Sequence, residues 1–313
     1  MEQNIHCSII IPVYYNEGTL AKTFDYLKEE VIKKNSNRIF EIIFIDDGSG
    51  DGSLEELMRV KKENGDLVKI IKFTRNFGQV AAVMAGYQHA TGECIVNISA
   101  DLQDPPELIN EMLNHHFNND YEIIICHRED RDESFFRKTT SGIFYKLIRK
   151  LSFPNMPDGG FDFALISNRV KENILSKREA NPFWQGQILW TGYNVKYIPY
   201  ERKKREIGKS KWSFSKKIKY LIDGVMSYSY FPLRLMSVTG IIVSIAGFIY
   251  AINILVARIF GAVPVKGWAP LMIMLLILSG IQMLMLGVIG EYLWRTLDQA
   301  RNRQPFIIDK IYE

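Results

Sequence analysis

The sequence has little cysteine. Cys7, Cys94 and Cys126 are its only three among 313 residues, and no two of them form a CxxC pair. That spacing excludes a disulfide framework and a thiolate zinc site, and it fits a reducing, cytosolic environment. A strong charge of one sign is lacking as well: 39 Lys and Arg stand against 35 Asp and Glu, a net +4. The excess is too mild for a general nucleic-acid binder, so no nucleic-acid partner is expected. Internal repeats and low-complexity tracts are missing. No cleavable leader is expected either, because residues 1–6 are polar and the apolar run at 8–13 is strand-length and contains Pro12. With 47% hydrophobic and 24% charged residues, a disordered chain is excluded too.

Long apolar runs are present, but only late. The mean hydropathy of −0.06 averages over two unlike parts. Residues 235–257 and 269–290 carry no charge, and each exceeds the ~20 residues that cross a ~30 Å hydrocarbon core. The expectation is a two-helix transmembrane hairpin over 234–293. Lys216, Lys217, Lys219 and Arg234 precede it, Arg295, Arg301 and Arg303 follow it, and the connecting loop holds only Arg258 and Lys266. By the positive-inside rule both termini, and any domain attached to them, face the cytoplasm of a multi-pass plasma (inner) membrane protein. A basic amphipathic helix is expected at 213–233, another stripe of the same kind runs through 137–153, and both suit the headgroup layer. Residues 294–313 then read as a cytoplasmic tail.

Residues 1–212 read as an α/β unit. Strand-like runs at 7–13, 41–45, 68–73, 94–99 and 122–126 alternate with helical patterns near 19–35, 53–64, 79–90 and 106–118. Such alternation predicts βαβ units around a mostly parallel sheet, with ligands at the carboxyl ends of its strands. The polar motifs lie at those ends. IPVYYNE (11–17) closes the first strand and IDDGSGDGS (45–53) the second. Their carboxylates can accept hydrogen bonds from a nucleobase or ribose, although Asp51 or Ser53 would serve equally as a helix cap. The fourth strand delivers SADLQDPP (99–106), where Pro105 keeps Asp104 out of helix and leaves 101–104 as an exposed turn. Carboxylate and amide oxygens there suit Mg²⁺ or Mn²⁺, with Asp101 read as ligand and Asp104 as cap. His115 and His116, on adjacent positions of a helix, read as surface residues. Trp184, Trp190 and Trp212 suit either sugar stacking or a membrane belt.

These motifs, together with RNFGQ (75–79), REIGKSK (205–211) and the hairpin that follows, resemble the polyprenyl-phosphate glycosyltransferases of glycosyltransferase family 2. That group includes dolichol-phosphate mannose synthase and bacterial undecaprenyl-phosphate glucosyltransferases, and the resemblance spans nearly the whole chain. It implies a Rossmann-like GT-A domain that moves one sugar, with inversion, from a nucleotide-sugar such as UDP-glucose onto a polyprenyl phosphate. By the same resemblance Pro12, Tyr14, Glu17, Asp46 and Asp47 belong to the nucleotide pocket. Asp101, Gln103 and Ser99 belong to the metal and diphosphate site. Arg205, Ser210 and Lys211 close on phosphates, and Asp162 acts as base or as acceptor-orienting group. Arg128, Arg131 and Arg137 follow the fifth strand as candidate acceptor-phosphate ligands. The implied partners are the nucleotide-sugar, the polyprenyl phosphate, the lipid bilayer, a homo-oligomer (a tetramer), and a flippase and outer-face transferase acting downstream.

Two departures stand out. The family's metal motif commonly reads Asp-Ala-Asp, and here its first position is Ser99. An Arg usual two residues after Asp162 is replaced by Ala164. They motivate a second reading, a membrane-anchored nucleotide-sugar binder of impaired activity; separately, no residue reads the sugar directly, which leaves UDP-N-acetylglucosamine or another nucleotide-sugar as an alternative donor. A processive polysaccharide synthase shares the nucleotide motifs, but the region 183–190 lacks the Gln-x-x-Arg-Trp motif of such enzymes.

Overall fold

The computed structural model describes residues 5–128, 146, 148–150, 152–177, 179–201, 222–260 and 267–313. They form two compact units, one of residues 1–223 with 304–313 and one of residues 224–303.

The first unit is built on β1 (Cys7–Val13), β2 (Phe40–Asp46), β3 (Val68–Phe73), β4 (Cys94–Asn97), β5 (Ile123–Arg128), β6 (Phe163–Ser167), β7 (Val195–Tyr200) and β8 (Ile308–Tyr312). They make one sheet in the order β7-β5-β6-β4-β1-β2-β3-β8. β1 is parallel to both β2 and β4, β2 to β3, and β5 to β7, while β6 and β8 run antiparallel to their neighbours. The Rossmann-like, mostly parallel fold expected from the alternating pattern is therefore present.

Strands buried on both faces read as unbroken apolar runs rather than alternating ones, and IIIPV in β1 and FEIIFI in β2 do so. On one face Ile9, Ile11, Ile42 and Phe44 pack with α1 (Leu20–Leu27), α2 (Ser53–Asn64) and α4 (Leu108–Asn119) through Phe24, Leu57 and Met112. On the other face lies α3 (Gln79–His89), buried from Ala81 through Tyr87. Gly86 lets it come close: a Cβ there would stand 2.5 Å from a methyl of Ile10. Two further helices, α5 (Asn168–Leu175) and α6 (Trp184–Trp190), follow β6.

The expected boundaries hold to within a few residues for the first five strands and for α2 and α3. The 19–35 helix is interrupted, giving an α-helix only over α1 and then π and 3-10 turns as far as Asn35. β6, β7 and β8 have no counterpart in the sequence reading. β8 matters most, because it lies in the segment 294–313 read as a tail. It covers the otherwise open edge of β3, and Phe306 stacks on Phe73 with centroids 5.1 Å apart.

In the second unit α7 (Phe231–Ile259) and α8 (Trp268–Ala300) are long and apolar enough to cross a membrane, over Phe231–Ile254 and Pro270–Ala300. Their apolar side chains are exposed along both helices. Met285 lies against Gly240, and the Tyr292 hydroxyl reaches Ser229 O at 3.5 Å, so the two pair as a hairpin. Of the expected interfacial helix at 213–233, residues 222–228 are described and helical. Of the stripe at 137–153, residues 146, 148–150, 152 and 153 are described; 146 and 148–150 are helical, and Ile148 and Phe153 are buried rather than presented to a headgroup layer.

Covering a sheet edge removes a template for intermolecular pairing. Phe306→Ala should cost about 3 kcal/mol, an apparent melting temperature lower by roughly 6–12 °C for a unit of this size. Asp309→Ala, which removes the exposed ion pair to Lys72 at 2.6 Å, should cost under about 1 kcal/mol. Thermal unfolding of the full chain in detergent, followed by circular dichroism, tests this; equal effects of the two changes would show that β8 is not held by its aromatic stack.

Candidate active site

Strand order changes direction at β1, with β2 on one side and β4 on the other, and such a switch point leaves a crevice beyond the carboxyl ends. The loops entering it are tied to one another by backbone amides that donate to serine and carboxylate oxygens. After β1, Asn16 N donates to Ser53 Oγ (2.9 Å), Tyr15 N to Ser49 Oγ (3.1 Å) and Gly18 N to Glu56 Oε2 (2.6 Å). In return Gly52 N donates to Glu17 Oε2 (3.0 Å). The hydroxyls of Thr19 and Thr23, at 3.2 and 3.0 Å, reach Ala100 O at the start of the turn after β4.

The two adjacent acids of the second motif have different work. Asp47 holds the 75–79 loop, accepting from Phe77 N (2.6 Å), Gly78 N (2.9 Å) and Asn76 Nδ2 (2.8 Å). Gly48, at φ +69°, allows that loop to pass, since a Cβ there would sit 2.5 Å from the Arg75 carbonyl carbon. Asp47 thus shapes the pocket with the oxygens it was expected to offer a nucleotide. Asp46 is fully buried; its Oδ1 accepts from Ser49 N (3.0 Å), and its Oδ2 has no hydrogen-bond partner. Burial raises its pKa, against the lowering effect of Ser49. A buried carboxylate oxygen without a donor is costly in the empty protein and suits a ligand N–H or O–H. Val13, the last residue of β1, is in register with Asp46, and Pro12 just before it with Ile45. Tyr14 is half-buried and edge-on to Tyr15, with centroids 4.7 Å apart. Burial, then Tyr15 and Asp47, raises the Tyr14 pKa.

The turn after β4 has Leu102 in the left-handed region at φ +55°, and Gln103 N donates to Asp101 Oδ1 at 3.3 Å. Asp104, expected as a helix cap, is not one. Glu107 occupies the N-cap of α4 without a side-chain bond, while Asp104 is fully buried and accepts from Ser99 Oγ and Tyr200 Oη, both at 2.5 Å. Ser99, expected as a metal ligand, is therefore engaged by Asp104. Among the described residues no three His, Cys, Asp or Glu side chains form a metal cluster. The oxygens of Asp101 and Gln103 fit a hard divalent cation that takes its remaining ligands from a substrate.

Across the sheet, Arg128 at the end of β5 pairs with Asp162, which precedes β6, at 3.2 Å. Burial opposes the Arg128 charge, but Asp162, Tyr200 and Asp104 outweigh it and its pKa is raised. Asn97 Nδ2 donates to Asp162 O (2.7 Å) and Gln185 Nε2 to Phe161 O (2.5 Å), which pins the Asp162 turn. The sequence reading missed Glu56, Asn97, Gln185 and Tyr200. Their only signal is a polar residue inside a buried run, which does not reveal its partner. Arg131, Arg137, Arg205, Ser210, Lys211 and Trp212 lie outside the described residues. Trp184 is buried with Nε1 bonded to Tyr87 Oη at 2.9 Å, whereas Trp190 is exposed beneath Lys177. His115 and His116 make local contacts with Glu111 and with Tyr121 O.

Residues 8–175 match the family described as "Glycosyl transferase family 2". An uncharacterized glycosyltransferase of Bacillus subtilis (strain 168) is 38% identical over 313 residues, covering all of this chain and 96% of that protein. A prophage bactoprenol glucosyl transferase homolog of Escherichia coli (strain K12) is 34% identical over 306 residues, 97% of this chain and 98% of that one. Among solved structures, the mannosyltransferase of Pyrobaculum calidifontis with GDP-Man and Mn²⁺ superposes with a TM-score of 0.52 at 17% identity. That likeness covers 72% of this chain and 64%, less than two thirds, of the other.

Between the ordinary Asp pKa and the raised value of Asp46, the native state binds more protons than the unfolded chain. Stability therefore falls as pH climbs through that window, and the deficit persists above it. Asp46→Asn should leave the melting temperature at pH 7.5 unchanged or higher, yet weaken UDP binding about tenfold, as expected for one lost charge-assisted hydrogen bond. Asp47→Ala leaves three donors without their acceptor and should lower stability by about 1–3 kcal/mol. Calorimetric titration with UDP and thermal melts separate the two; equal melting losses would mean that both acids are structural.

Proposed function

The chain belongs to glycosyl transferase family 2, and from that membership we propose that it transfers a single sugar, with inversion, from a nucleotide-sugar to a polyprenyl phosphate. Undecaprenyl phosphate is the acceptor favoured by the bactoprenol glucosyl transferases to which the chain is similar over nearly its whole length. UDP-glucose is the donor favoured on the same ground.

The observation that carries the reading is the order of groups along the carboxyl edge. Asp46 on β2 comes first, then Pro12 near the end of β1 and Tyr14 after it, the Asp101–Gln103 turn after β4, Asp162 before β6 and Arg128 on β5. A nucleoside, a diphosphate, a sugar and an anionic acceptor laid along that edge each meet suitable chemistry. Asp46 accepts from the base. Asp101 and Gln103 hold a divalent cation, Mg²⁺ or Mn²⁺, which supplies Lewis-acid stabilisation of the leaving diphosphate. Arg128 attracts the acceptor phosphate. In the reaction an acceptor phosphate oxygen forms the new bond to the anomeric carbon as the bond to the diphosphate breaks. A phosphate monoester has a second pKa of about 6 by analogy with phosphorylated side chains, so the acceptor is already largely deprotonated. Asp162 then serves to orient the acceptor through Arg128 more than to remove a proton. Arg205, Ser210 and Lys211 are assigned to the phosphates by resemblance alone.

Such an acceptor keeps its phosphate at headgroup level and its tail in lipid. The two apolar helices would anchor the enzyme there as a multi-pass protein, with catalytic unit and termini on the cytoplasmic side by the distribution of Lys and Arg.

The test uses the purified full chain in detergent with undecaprenyl phosphate, Mg²⁺ or Mn²⁺ and a panel of nucleotide-sugars, followed by mass spectrometry of the extracted lipid. A gain of one hexose from UDP-glucose is expected, and Asp101→Ala should lower the rate at least 100-fold. Gain of one N-acetylhexosamine would change the donor but not the reaction. Intact donors despite metal-dependent nucleotide binding would instead favour a binder, the reading to which the engaged Ser99 hydroxyl and Ala164 point.

A further inference from the structure

Tyr200 ends β7 and stands in register beside Arg128 on β5. Its hydroxyl donates to Asp104, which places it beside its cross-strand neighbour Arg128, whose positive charge acts on it. Asp104 in turn accepts from Ser99 across the turn that carries Asp101 and Gln103. Arg128 continues to Asp162. A contiguous chain of side chains, Ser99–Asp104–Tyr200–Arg128–Asp162, thus runs under the site from the cation-binding turn to the acceptor end. Tyr200 sits at its midpoint, 8% exposed, with its ring perpendicular to that of Phe163 at 6.2 Å between centroids. The ring packing and the bond to Asp104 together fix the hydroxyl beside Arg128. Buried polar groups satisfied this way hold one geometry.

We propose that Tyr200 and Asp104 are positioning residues that join the cation turn to the Arg128–Asp162 pair, so that the acceptor phosphate is held at a distance set by the turn that holds the donor diphosphate. Neither residue touches substrate. The inference rests on the reaction proposed above for its kinetic arm, and on geometry alone for its structural arm. A nucleophile and a leaving group must be aligned to within a fraction of an ångström for in-line displacement, and two buried hydrogen bonds, a cross-strand neighbour and an ion pair in series are a stiff way to fix two such groups relative to each other.

Tyr200→Phe keeps the ring and deletes only the hydroxyl. In the full chain in detergent, the KM for undecaprenyl phosphate should rise five- to tenfold and kcat should fall. The KM for the nucleotide-sugar and the melting temperature should stay within twofold and about 2 °C. Asp104→Asn, with one acceptor oxygen for two donors, should raise the acceptor KM and also the Mn²⁺ concentration for half-maximal rate. A uniform loss in every parameter together with a lower melting temperature would reduce Tyr200 to a packing residue and overturn the proposal. So would unchanged kinetics. Hydrogen–deuterium exchange of the unliganded protein reads the same link without turnover: Tyr200→Phe should raise uptake in peptides covering 99–104 and 160–163 together. Faster exchange in one peptide only, or in neither, refutes the link even if the enzyme is active. Coupled exchange in a protein that transfers no sugar would leave the link standing and refute the proposed reaction instead.

Discussion

A parallel sheet delivers its strand ends to one edge, and the loops leaving that edge carry backbone N–H groups that no neighbouring strand can accept. In this protein the acceptors are carboxylates. Glu56, Glu17 and Asp47 take amide donors from three successive loops, and Asp104 takes hydroxyl donors from two more elements. The crevice exists because these acids are spent on structure. Asp46 Oδ2 is left without a donor on one side of the crevice, and the Asp101–Gln103 turn and the Arg128–Asp162 pair line the other.

That division explains how far the sequence could be read. The first five strands are legible because burial on both faces forces apolar runs with abrupt polar ends, and α2 and α3 because their bounds coincide with Gly and Ser at the loop exits. β6, β7 and β8 escape notice for a physical reason. β7 is only partly buried and β8 is mixed polar at a sheet edge, so neither shows a clean run or a clean alternation; β6 is a fully buried run of five residues, too short for periodicity to tell strand from helix. Their placement depends on partners far away in sequence, Lys72 with Lys310 for example.

The site was legible as a set of residue types and less so as a set of roles. Asp46 and Asp47 are adjacent and chemically identical, yet one ends a strand with a bare oxygen and the other clamps a loop. The reading of Asp104 as a helix cap fails because Tyr200, ninety-six residues later, competes for it. A carboxylate's role is decided by which donors reach it, and those donors come from elements that the local sequence does not reveal. The family, as distinct from the roles of single acids, was legible because the resemblance rests on five motifs in order rather than on any one acid.

The strand β8 has a further consequence for the order in which the protein can be made. Residues 224–303 are an insertion within the sheet-forming unit, since its eighth strand is encoded after both apolar helices. As the chain leaves the ribosome, β3 waits with an open edge and Phe73 without its stacking partner while more than two hundred residues are synthesised. The sheet closes only after the hairpin has emerged. Completion of the catalytic unit is thereby made conditional on the fate of the helices, and a chain that stalls before them offers an unpaired strand to its neighbours.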